Sequence, residues 1–308
     1  MKKILCITPV KHLDGVFNLF SRYGEPIYEP NISKDELREL LVSLEIEYMF
    51  TNPNKQGFVL DKDLLDGSSI KIINTCSTGT NHIDMEYCSD VGISVWSLTK
   101  DMELINDLPS TSELAFGLMC SLFRKINSGF DSVKDGNWNY EPFMGKQIKG
   151  SSIGIIGFGR LGKIMKNFCQ AFGMEIYIYD PYQGYPDLGE LLVNADTISL
   201  HVHVTNETRD MVDKNFLSSM KSGGYLINTS RGELVDENAV IDFIRDGHLA
   251  GYATDVIRDE FGDRKISKLV QYAKGNSNVI ITPHVGGMTW EGQTKAYKWA
   301  INKFKEIM

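Results

Sequence analysis

The amino-acid sequence predicts an α/β protein with two doubly wound parallel-sheet domains. Short apolar strands alternate with helical patterns from the first residues to about residue 98, and βα units resume after residue 150. Parallel strands need long crossover connections, which are usually helices, so this alternation is typical of parallel sheets. A length of 308 residues is sufficient for two domains of ordinary size.

The first part of the chain contains five apolar segments that predict strands. They lie at Ile4–Thr8, Ile27–Glu29, Tyr48–Thr51, Ile70–Asn74 and Ile93–Trp96. Between them, Ser33 followed three residues later by Glu36 predicts a helix with a capping box. Ligands of open parallel sheets sit beyond the carboxyl ends of the strands, so we expect the loops 52–55 and 77–80 to bind ligand.

The second part of the chain repeats this pattern with six further segments that predict strands. They lie at 153–156, 174–180, 196–200, 224–228, 249–253 and 279–282. A long helix that begins at Ser110 has apolar residues on more than one side, which predicts that it is buried. Residues 290–308 predict a last helix.

A glycine-rich turn follows the predicted strand at 153–156. Gly157, Gly159 and Gly162 have the G-x-G-x-x-G spacing, and apolar residues at helical spacing come next. These glycines permit a tight turn, a close approach of the backbone to a pyrophosphate, and close packing of helix on strand. Asp180 ends the next strand, near the spacing of roughly 20 residues expected for a carboxylate that binds a ribose 2′-hydroxyl. Because this carboxylate repels a 2′-phosphate, the pattern predicts NAD rather than NADP.

Composition limits the classes of partner. The formal net charge is −8 and no basic run occurs, which disfavours nucleic acid and anionic membranes as partners. The five cysteines are scattered and have no C-x-x-C spacing, so we expect reduced thiols in a cytoplasmic protein and no metal site. No apolar stretch has the length of a membrane span or a signal peptide, and Pro9 interrupts the first one.

Three polar residues follow predicted strands of the second part. Arg231 can hold a carboxylate with two hydrogen bonds, His284 can transfer a proton, and Glu260 can orient that histidine. Taken singly, each has a structural explanation: a surface ion pair, a hydrogen-bonded core histidine, or a solvated loop acid. Their common location in strand-end loops of one dinucleotide-binding domain favours a catalytic group.

These stretches resemble the D-isomer-specific 2-hydroxyacid dehydrogenases, the family of the D-glycerate, D-lactate and D-3-phosphoglycerate dehydrogenases. The similarity covers almost the whole chain and is strongest from about residue 150 to 290, and the matching segments lie at 77–84, 154–162, 200–202, 228–232, 255–256 and 282–287. The resemblance implies a Rossmann-type coenzyme domain at 99–284. It also implies a flavodoxin-like substrate domain built from 1–98 and 285–308, and a homodimer formed through the helix that begins at Ser110.

The resemblance also implies roles for individual residues. His284 would exchange a proton with the substrate, Glu260 would hydrogen-bond His284 and keep it protonated, and Arg231 would hold the substrate carboxylate and keto oxygen. Asp255 would bind the nicotinamide carboxamide and Asp180 the adenosine ribose. The implied substrate-binding residues are Asn52, Ser77, Thr78 and Gly79. The implied NAD-binding residues are Gly157, Gly159, Arg160, Leu161, Asp180, Thr205, Thr229, Asp255 and Gly287.

Departures from the family pattern leave the substrate open. Phe261 replaces the proline that usually follows the catalytic glutamate, and His203 replaces a proline in a cofactor-facing loop. The loop at 51–55 lacks the arginine that phosphoglycerate dehydrogenases carry, although Lys55 offers a positive charge there. We therefore expect a D-2-hydroxyacid dehydrogenase or 2-keto acid reductase. The alternatives are a D-3-phosphoglycerate dehydrogenase of serine synthesis and an NAD(H)-sensing protein that resembles the family's co-repressors.

Overall fold

The computed structural model describes residues 2–52, 57–258, 260 and 264–307. The chain divides into two compact units, the first formed by Met1–Leu108 with Met288–Met308 and the second by Pro109–Gly287. The divisions lie later than the boundaries of 98/99 and 284/285 placed from the sequence. The first differs because Leu104 and Ile105 are buried in the core of the first unit.

The first unit contains a five-stranded sheet. Its strands are β1 Lys3–Cys6, β2 Glu25–Tyr28, β3 Tyr48–Thr51, β4 Ile72–Thr75 and β5 Ser94–Trp96. All neighbouring strands are parallel, in the order β2-β1-β3-β4-β5. This is the flavodoxin-like order, in which a crossover reverses direction beside β1.

Helices of the first unit connect these strands and close its core. The α-helices are α1 Lys34–Ser43, α2 Lys62–Leu65, α3 Met85–Asp90, α4 Met102–Asn106, α12 Trp290–Asn302 and α13 Phe304–Ile307, and the 3₁₀ helices are Phe17–Arg22 and Leu98–Lys100. The capping box is confirmed, because the Ser33 N–H donates to Glu36 Oε2 at 2.9 Å and the Glu36 N–H donates to Ser33 Oγ at 3.3 Å. The last helix is divided in two, and Ala300 and Phe304 from its two parts are fully buried against the sheet.

The second unit contains a six-stranded sheet. Its strands are β6 Ser152–Ile156, β7 Glu175–Tyr179, β8 Thr197–Leu200, β9 Gly224–Asn228, β10 Leu249–Thr254 and β11 Val279–Ile281. The strands are parallel in the order β11-β10-β9-β8-β6-β7, so the order reverses at β6. Ligands of doubly wound sheets bind at such a switch point, which here is followed by the glycine-rich turn.

Helices cover this second sheet. They are α5 Ser110–Arg124, α6 Ile126–Lys134, α7 Arg160–Ala171, α8 Leu188–Asn194, α9 Lys214–Ser219, α10 Glu237–Arg245 and α11 Lys268–Ala273, with 3₁₀ helices at Glu141–Phe143, Pro181–Gln183, Gly232–Leu234 and Arg264–Ile266. The predicted long helix is two helices, because Lys125 adopts a left-handed conformation with φ of 50°. Its first part is buried in the core of its own unit, where Met119 and Phe123 are fully enclosed. The large apolar residues that are exposed in this part of the chain instead belong to α6 and the segment after it.

Membrane-spanning helices and metal-binding clusters would indicate other kinds of function. Among the residues that the structure describes, no helix has the length and apolar character needed to cross a membrane. Within the same residues, no group of three or more His, Cys, Asp or Glu side chains is arranged to hold a metal ion.

Candidate active site

The glycine-rich turn leaves β6 and opens α7. Gly157 has a φ of 92°, and a Cβ there would lie 2.5 Å from the carbonyl oxygen of His201. A Cβ at Gly162 would overlap the carbonyl oxygen of Gly157, so both positions require glycine. At Gly159, by contrast, a Cβ would meet no atom within 4 Å. The turn is thus closely packed at Gly157 and Gly162 and open at Gly159, which lets a pyrophosphate approach the backbone.

The first turn of α7 supplies the charge for an anion site. Gly159 is the N-cap residue, and no side chain caps the start of this helix, whose N-terminus favours an anion. Arg160 opens the helix, and its burial lowers the pKa of its guanidinium. Leu161 is fixed through its carbonyl oxygen, which accepts a hydrogen bond of 3.0 Å from Ser112 Oγ. A helix N-terminus and a partly buried cation both favour phosphate.

Asp180 lies directly after β7 and is tied to the glycine-rich turn. Its Oδ2 accepts a 2.8 Å hydrogen bond from the Phe158 N–H, and its Oδ1 accepts one of 3.2 Å from the Tyr182 N–H. Each carboxylate oxygen has two acceptor positions, so capacity remains for hydroxyl donors. A fixed carboxylate at this position fits a ribose and opposes a 2′-phosphate.

The remaining predicted cofactor residues differ in their surroundings. Thr229 follows β9, and its buried hydroxyl has no hydrogen-bond partner in the described part of the chain. Such an unsatisfied buried group is costly, so a ligand atom would stabilise it. Thr205 is more exposed, and its hydroxyl accepts hydrogen bonds of 3.2 Å from the N–H groups of Glu207 and Thr208. Gly287 has open space at its Cβ position. Together with the turn, these residues fit a dinucleotide.

Asp255 braces the loop that carries His284. Its buried carboxylate accepts hydrogen bonds from Thr282 Oγ1 at 2.5 Å, from the Val285 N–H at 2.8 Å and from the Gly286 N–H at 2.7 Å. Burial raises the pKa of Asp255 although these hydrogen bonds act in the opposite direction. Three of its four acceptor positions are used, so one remains for the carboxamide role suggested by the family resemblance. Neither this bracing role nor the partner Thr282 is apparent from the sequence.

His284 and Glu260 form the clearest chemical pair in the second unit. The Nδ1 atom of His284 lies 3.1 and 3.0 Å from the two carboxylate oxygens of Glu260, and both side chains are mostly enclosed. A carboxylate accepts, so Nδ1 carries the proton in this contact, and Nε2 is the second ring nitrogen, which in the neutral imidazole can accept a proton. His284 also has a left-handed φ of 55°. Strained backbone of this kind is concentrated at functional sites.

Arg231 lies in the loop after β9, and two hydrogen bonds and a close backbone contact hold this loop. Asn228 Nδ2 donates a 2.8 Å hydrogen bond to the Arg231 carbonyl oxygen, and a guanidinium nitrogen of Arg231 donates to the Ser230 carbonyl oxygen at 2.7 Å. A Cβ at Gly232 would overlap the backbone of Ile257, so this loop packs directly on the segment that leads to Glu260. The arginine is therefore presented by a rigid loop.

The loop after β4 is the predicted substrate loop of the first unit. Ser77 Oγ donates a 2.7 Å hydrogen bond to the Gly79 carbonyl oxygen and lies 3.0 Å from Thr75 Oγ1. The hydroxyl hydrogen of Ser77 is therefore used in a hydrogen bond within the loop. In the described part of the chain, no acceptor is found for the backbone N–H groups of Thr78 and Gly79. These two groups are available as donors for an anion.

Asn52, after β3, has a partner that the sequence analysis missed. Its Nδ2 atom donates a 2.5 Å hydrogen bond to Tyr297 Oη, and the residue is only 7% exposed. Burial raises the pKa of Tyr297 well above its usual value, so the phenol stays protonated. The amide nitrogen of Asn52 is thus committed within the first unit. Lys55 and Phe261, two positions noted in the sequence, lie outside the described residues.

Comparison with known proteins identifies the family. The family model described as "D-isomer specific 2-hydroxyacid dehydrogenase, NAD binding domain" matches residues 116–286, which is more than half of the chain. The chain belongs to the D-isomer-specific 2-hydroxyacid dehydrogenase family. It is an oxidoreductase family with an NAD-binding Rossmann domain, and the glycine-rich turn at Gly157–Gly162 lies inside the matched region.

Individual relatives carry several enzyme names. The chain is 34% identical to a glycerate dehydrogenase of Methylorubrum extorquens over 87% of this chain and 83% of that protein. It is 30% identical to a hydroxypyruvate reductase of Thermotoga maritima over 90% of this chain and 89% of that protein. A D-3-phosphoglycerate dehydrogenase of Methanocaldococcus jannaschii is 29% identical over the whole chain, which spans 58% of that relative's length.

A solved structure agrees with the family assignment. The crystal structure of a D-lactate dehydrogenase from Aquifex aeolicus, complexed with NAD and lactic acid, matches with a TM-score of 0.81 at 27% identity. The match covers 99% of this chain and 95% of that chain. The names of these relatives differ in substrate, so family membership leaves the substrate of this protein open.

Proposed function

We propose that this protein is an NAD-dependent D-2-hydroxyacid dehydrogenase that reduces a small 2-keto acid. The observation that carries the proposal is the pair formed by His284 and Glu260, with Nδ1 to Oε2 at 3.0 Å. This pair lies in the same unit as the glycine-rich turn, which fits NAD. A histidine held by a carboxylate is a suitable general acid and base near neutral pH.

The residues of the pair account for the proton. When bound, NADH supplies the hydride that reaches C2 of the keto acid. His284 donates the Nε2 proton to the keto oxygen, so that the carbonyl becomes a hydroxyl. The Glu260 carboxylate accepts the Nδ1–H hydrogen bond and stabilises the charged imidazolium before that transfer. In the reverse direction, neutral His284 accepts the hydroxyl proton at Nε2.

Other residues hold and polarise the substrate in this proposal. Arg231 is assigned the carboxylate and keto oxygen, because a guanidinium can make two parallel hydrogen bonds and stabilise developing negative charge. The N–H groups of Thr78 and Gly79 are assigned to the carboxylate, supported by the absence of acceptors for them among the described residues. Ser77 supports that loop through its bond to Gly79, rather than by contact with substrate.

Two further properties are part of the proposal. The carboxylate of Asp180 favours NAD over NADP for the electrostatic reason given above. All five cysteines are free thiols and four are buried, which supports a cytoplasmic protein in a reducing compartment.

We also propose that the protein is a homodimer. The second unit exposes a group of large apolar side chains, which are Ile126, Phe130, Val133, Trp138, Tyr140 and Met144. Among them, Trp138 is 91% exposed and Phe130 is 63% exposed. Large exposed apolar side chains grouped in one segment mark interaction sites, and a second copy of this chain is the partner we assign.

The test is oxidation of NADH by the purified protein with a panel of keto acids. The panel contains glyoxylate, hydroxypyruvate, pyruvate, 2-ketobutyrate, phenylpyruvate and 3-phosphohydroxypyruvate. Turnover of an unphosphorylated acid to the D-hydroxy product supports the proposal. Reaction of the phosphorylated acid alone favours the phosphoglycerate dehydrogenase alternative. Binding of NADH without turnover of any panel member contradicts catalysis of this class and favours an NAD(H) sensor.

A further inference from the structure

A chain of side-chain hydrogen bonds runs behind the predicted substrate loop of the first unit. Nε2 of His82 lies 3.1 Å from Thr75 Oγ1, Thr75 Oγ1 lies 3.0 Å from Ser77 Oγ, and Ser77 Oγ lies 2.7 Å from the Gly79 carbonyl oxygen. Thr75 is fully buried and His82 is 2% exposed, so water cannot substitute for the inner members of the chain.

The donor and acceptor capacities of these groups determine which atom donates in each hydrogen bond of the series. The Gly79 carbonyl oxygen can only accept, so Ser77 donates its single hydroxyl hydrogen to it. Thr75 must then donate its own hydrogen to Ser77. Since that hydrogen is used, the contact between Thr75 and His82 requires a donor on the histidine. Nε2 of His82 therefore carries a proton.

The position of His82 is itself fixed by the backbone. Its carbonyl oxygen accepts a 2.9 Å hydrogen bond from the Leu60 N–H, and Ile83 forms an isolated parallel bridge with Leu60. The Ile83 N–H donates to the Thr80 carbonyl oxygen at 2.9 Å, which closes the loop from its far end. The main chain at His82 is thus held in place, and its imidazole is enclosed, with the residue 2% exposed.

These side-chain hydrogen bonds determine the direction in which the N–H groups of the loop point. The Gly79 carbonyl points inward to Ser77, and because a trans peptide is planar, the Thr80 N–H points in the opposite direction. In the described part of the chain, no acceptor is found for the N–H groups of Thr78, Gly79 and Thr80. Successive N–H groups of this kind form a binding site for an anion.

We propose that His82 is a positioning residue for substrate binding. Through Thr75 and Ser77, its Nε2–H holds the peptide between Gly79 and Thr80 in the orientation that presents the loop N–H groups to the substrate carboxylate. This inference rests on the proposed function, because the carboxylate is that of the keto acid. It assigns a role to three side chains that make no contact with the substrate themselves.

Kinetics of matched variants test the proposal. Thr75→Val removes the relay hydroxyl with little change of volume, and we expect KM for the keto acid to rise roughly tenfold, with kcat and the NADH dissociation constant little changed. Thr75→Ser keeps the hydroxyl and should keep KM. His82→Gln keeps a donor near the Nε2 position and should also keep KM, whereas His82→Leu should raise it as Thr75→Val does.

A control separates this role from a general effect of losing a buried hydroxyl. Thr197, in β8 of the second unit, has a buried hydroxyl with no partner among the described residues, so Thr197→Val should leave KM unchanged. Equal KM values for the wild type and Thr75→Val overturn the inference while wild-type turnover still supports the proposed function. An inactive wild type counts against the proposed function and removes the substrate role with it.

Nitrogen-15 NMR of the histidine side chains tests the hydrogen-bond direction without activity. Assignment of the His82 signals by comparison with His82→Gln should show a proton on Nε2. An Nε2 without a proton contradicts donation from His82 to Thr75, whichever keto acid the protein uses.

Discussion

Nδ1 of His284 lies 3.0 Å from Oε2 of Glu260, and the two residues are brought together from loops that follow neighbouring strands β10 and β11. The backbone of the same loop is fixed independently, because the Asp255 carboxylate binds the N–H groups of Val285 and Gly286. Two kinds of contact thus orient the imidazole. Its own Nδ1 is hydrogen-bonded to Glu260, and the main chain that follows it is hydrogen-bonded to Asp255. Such double support is what an acid-base group needs for a fixed direction of proton transfer.

Glu260→Gln tests the electrostatic part of this relationship. Glutamine keeps an acceptor for the Nδ1–H of His284 but removes the negative charge that stabilises the imidazolium. We expect kcat for keto acid reduction to fall roughly 10- to 100-fold, the equivalent of one hydrogen bond to a charged group. NADH titration by fluorescence should give an unchanged dissociation constant. A variant with wild-type kcat would show that the carboxylate has no part in the reaction.

Asp180 provides a test of coenzyme preference. Asp180→Ala removes the ribose acceptor and also two hydrogen bonds to the backbone at Phe158 and Tyr182. We expect weaker NADH binding and a roughly tenfold smaller ratio of kcat/KM for NADH over NADPH. Asp180→Asn is the matched comparison, since it keeps one acceptor oxygen and the side-chain size but removes the charge. If both variants retain the wild-type ratio, another residue determines the preference.

His201 gives the protein a predicted loss of stability in acid. Its Nε2 lies 2.9 Å from Ser199 Oγ, its Nδ1 is buried, and burial lowers the pKa of the imidazole from 6.5 to about 4. Between these values the unfolded chain binds a proton that the folded chain does not. The stabilisation is therefore complete above pH 6.5 and is lost as the pH falls toward 4, by about 3 kcal/mol in total.

Urea unfolding of the wild type and His201→Gln at pH 7 and pH 4.5 measures this effect. The wild type should lose more stability than the variant on acidification, because glutamine does not titrate. Parallel losses in the two proteins would contradict the assignment of a neutral buried imidazole.

The sequence predicted those features whose signal is local. The strands, the glycines of the turn and Asp180 at the end of β7 follow from short patterns, and the structure has them where expected. The break at Lys125 was missed because neither glycine nor proline marks it; only its left-handed φ of 50° shows the end of the helix. Helical periodicity alone does not reveal a single residue of this kind.

Partners that are distant in sequence could not be predicted. Asn52 and Tyr297 are 245 positions apart, and their hydrogen bond depends on α12 returning to the first unit. The hydrogen bonds from His82 through Thr75 to Ser77 are short in sequence, but the resemblance at 77–84 indicates only the loop and not the side chains that support it. The three-dimensional structure shows which polar groups face each other, and therefore which hydroxyl is available to a ligand and which supports the loop.

The most direct test of the account is single-turnover oxidation of NADH by His284→Gln with the preferred keto acid. The account predicts NADH binding equal to the wild type and a hydride-transfer rate reduced by roughly 10²- to 10⁴-fold, the usual contribution of general acid-base catalysis. Comparison with Glu260→Gln should place that variant between the wild type and His284→Gln. A wild-type rate in His284→Gln would contradict the assignment of His284 as the proton donor.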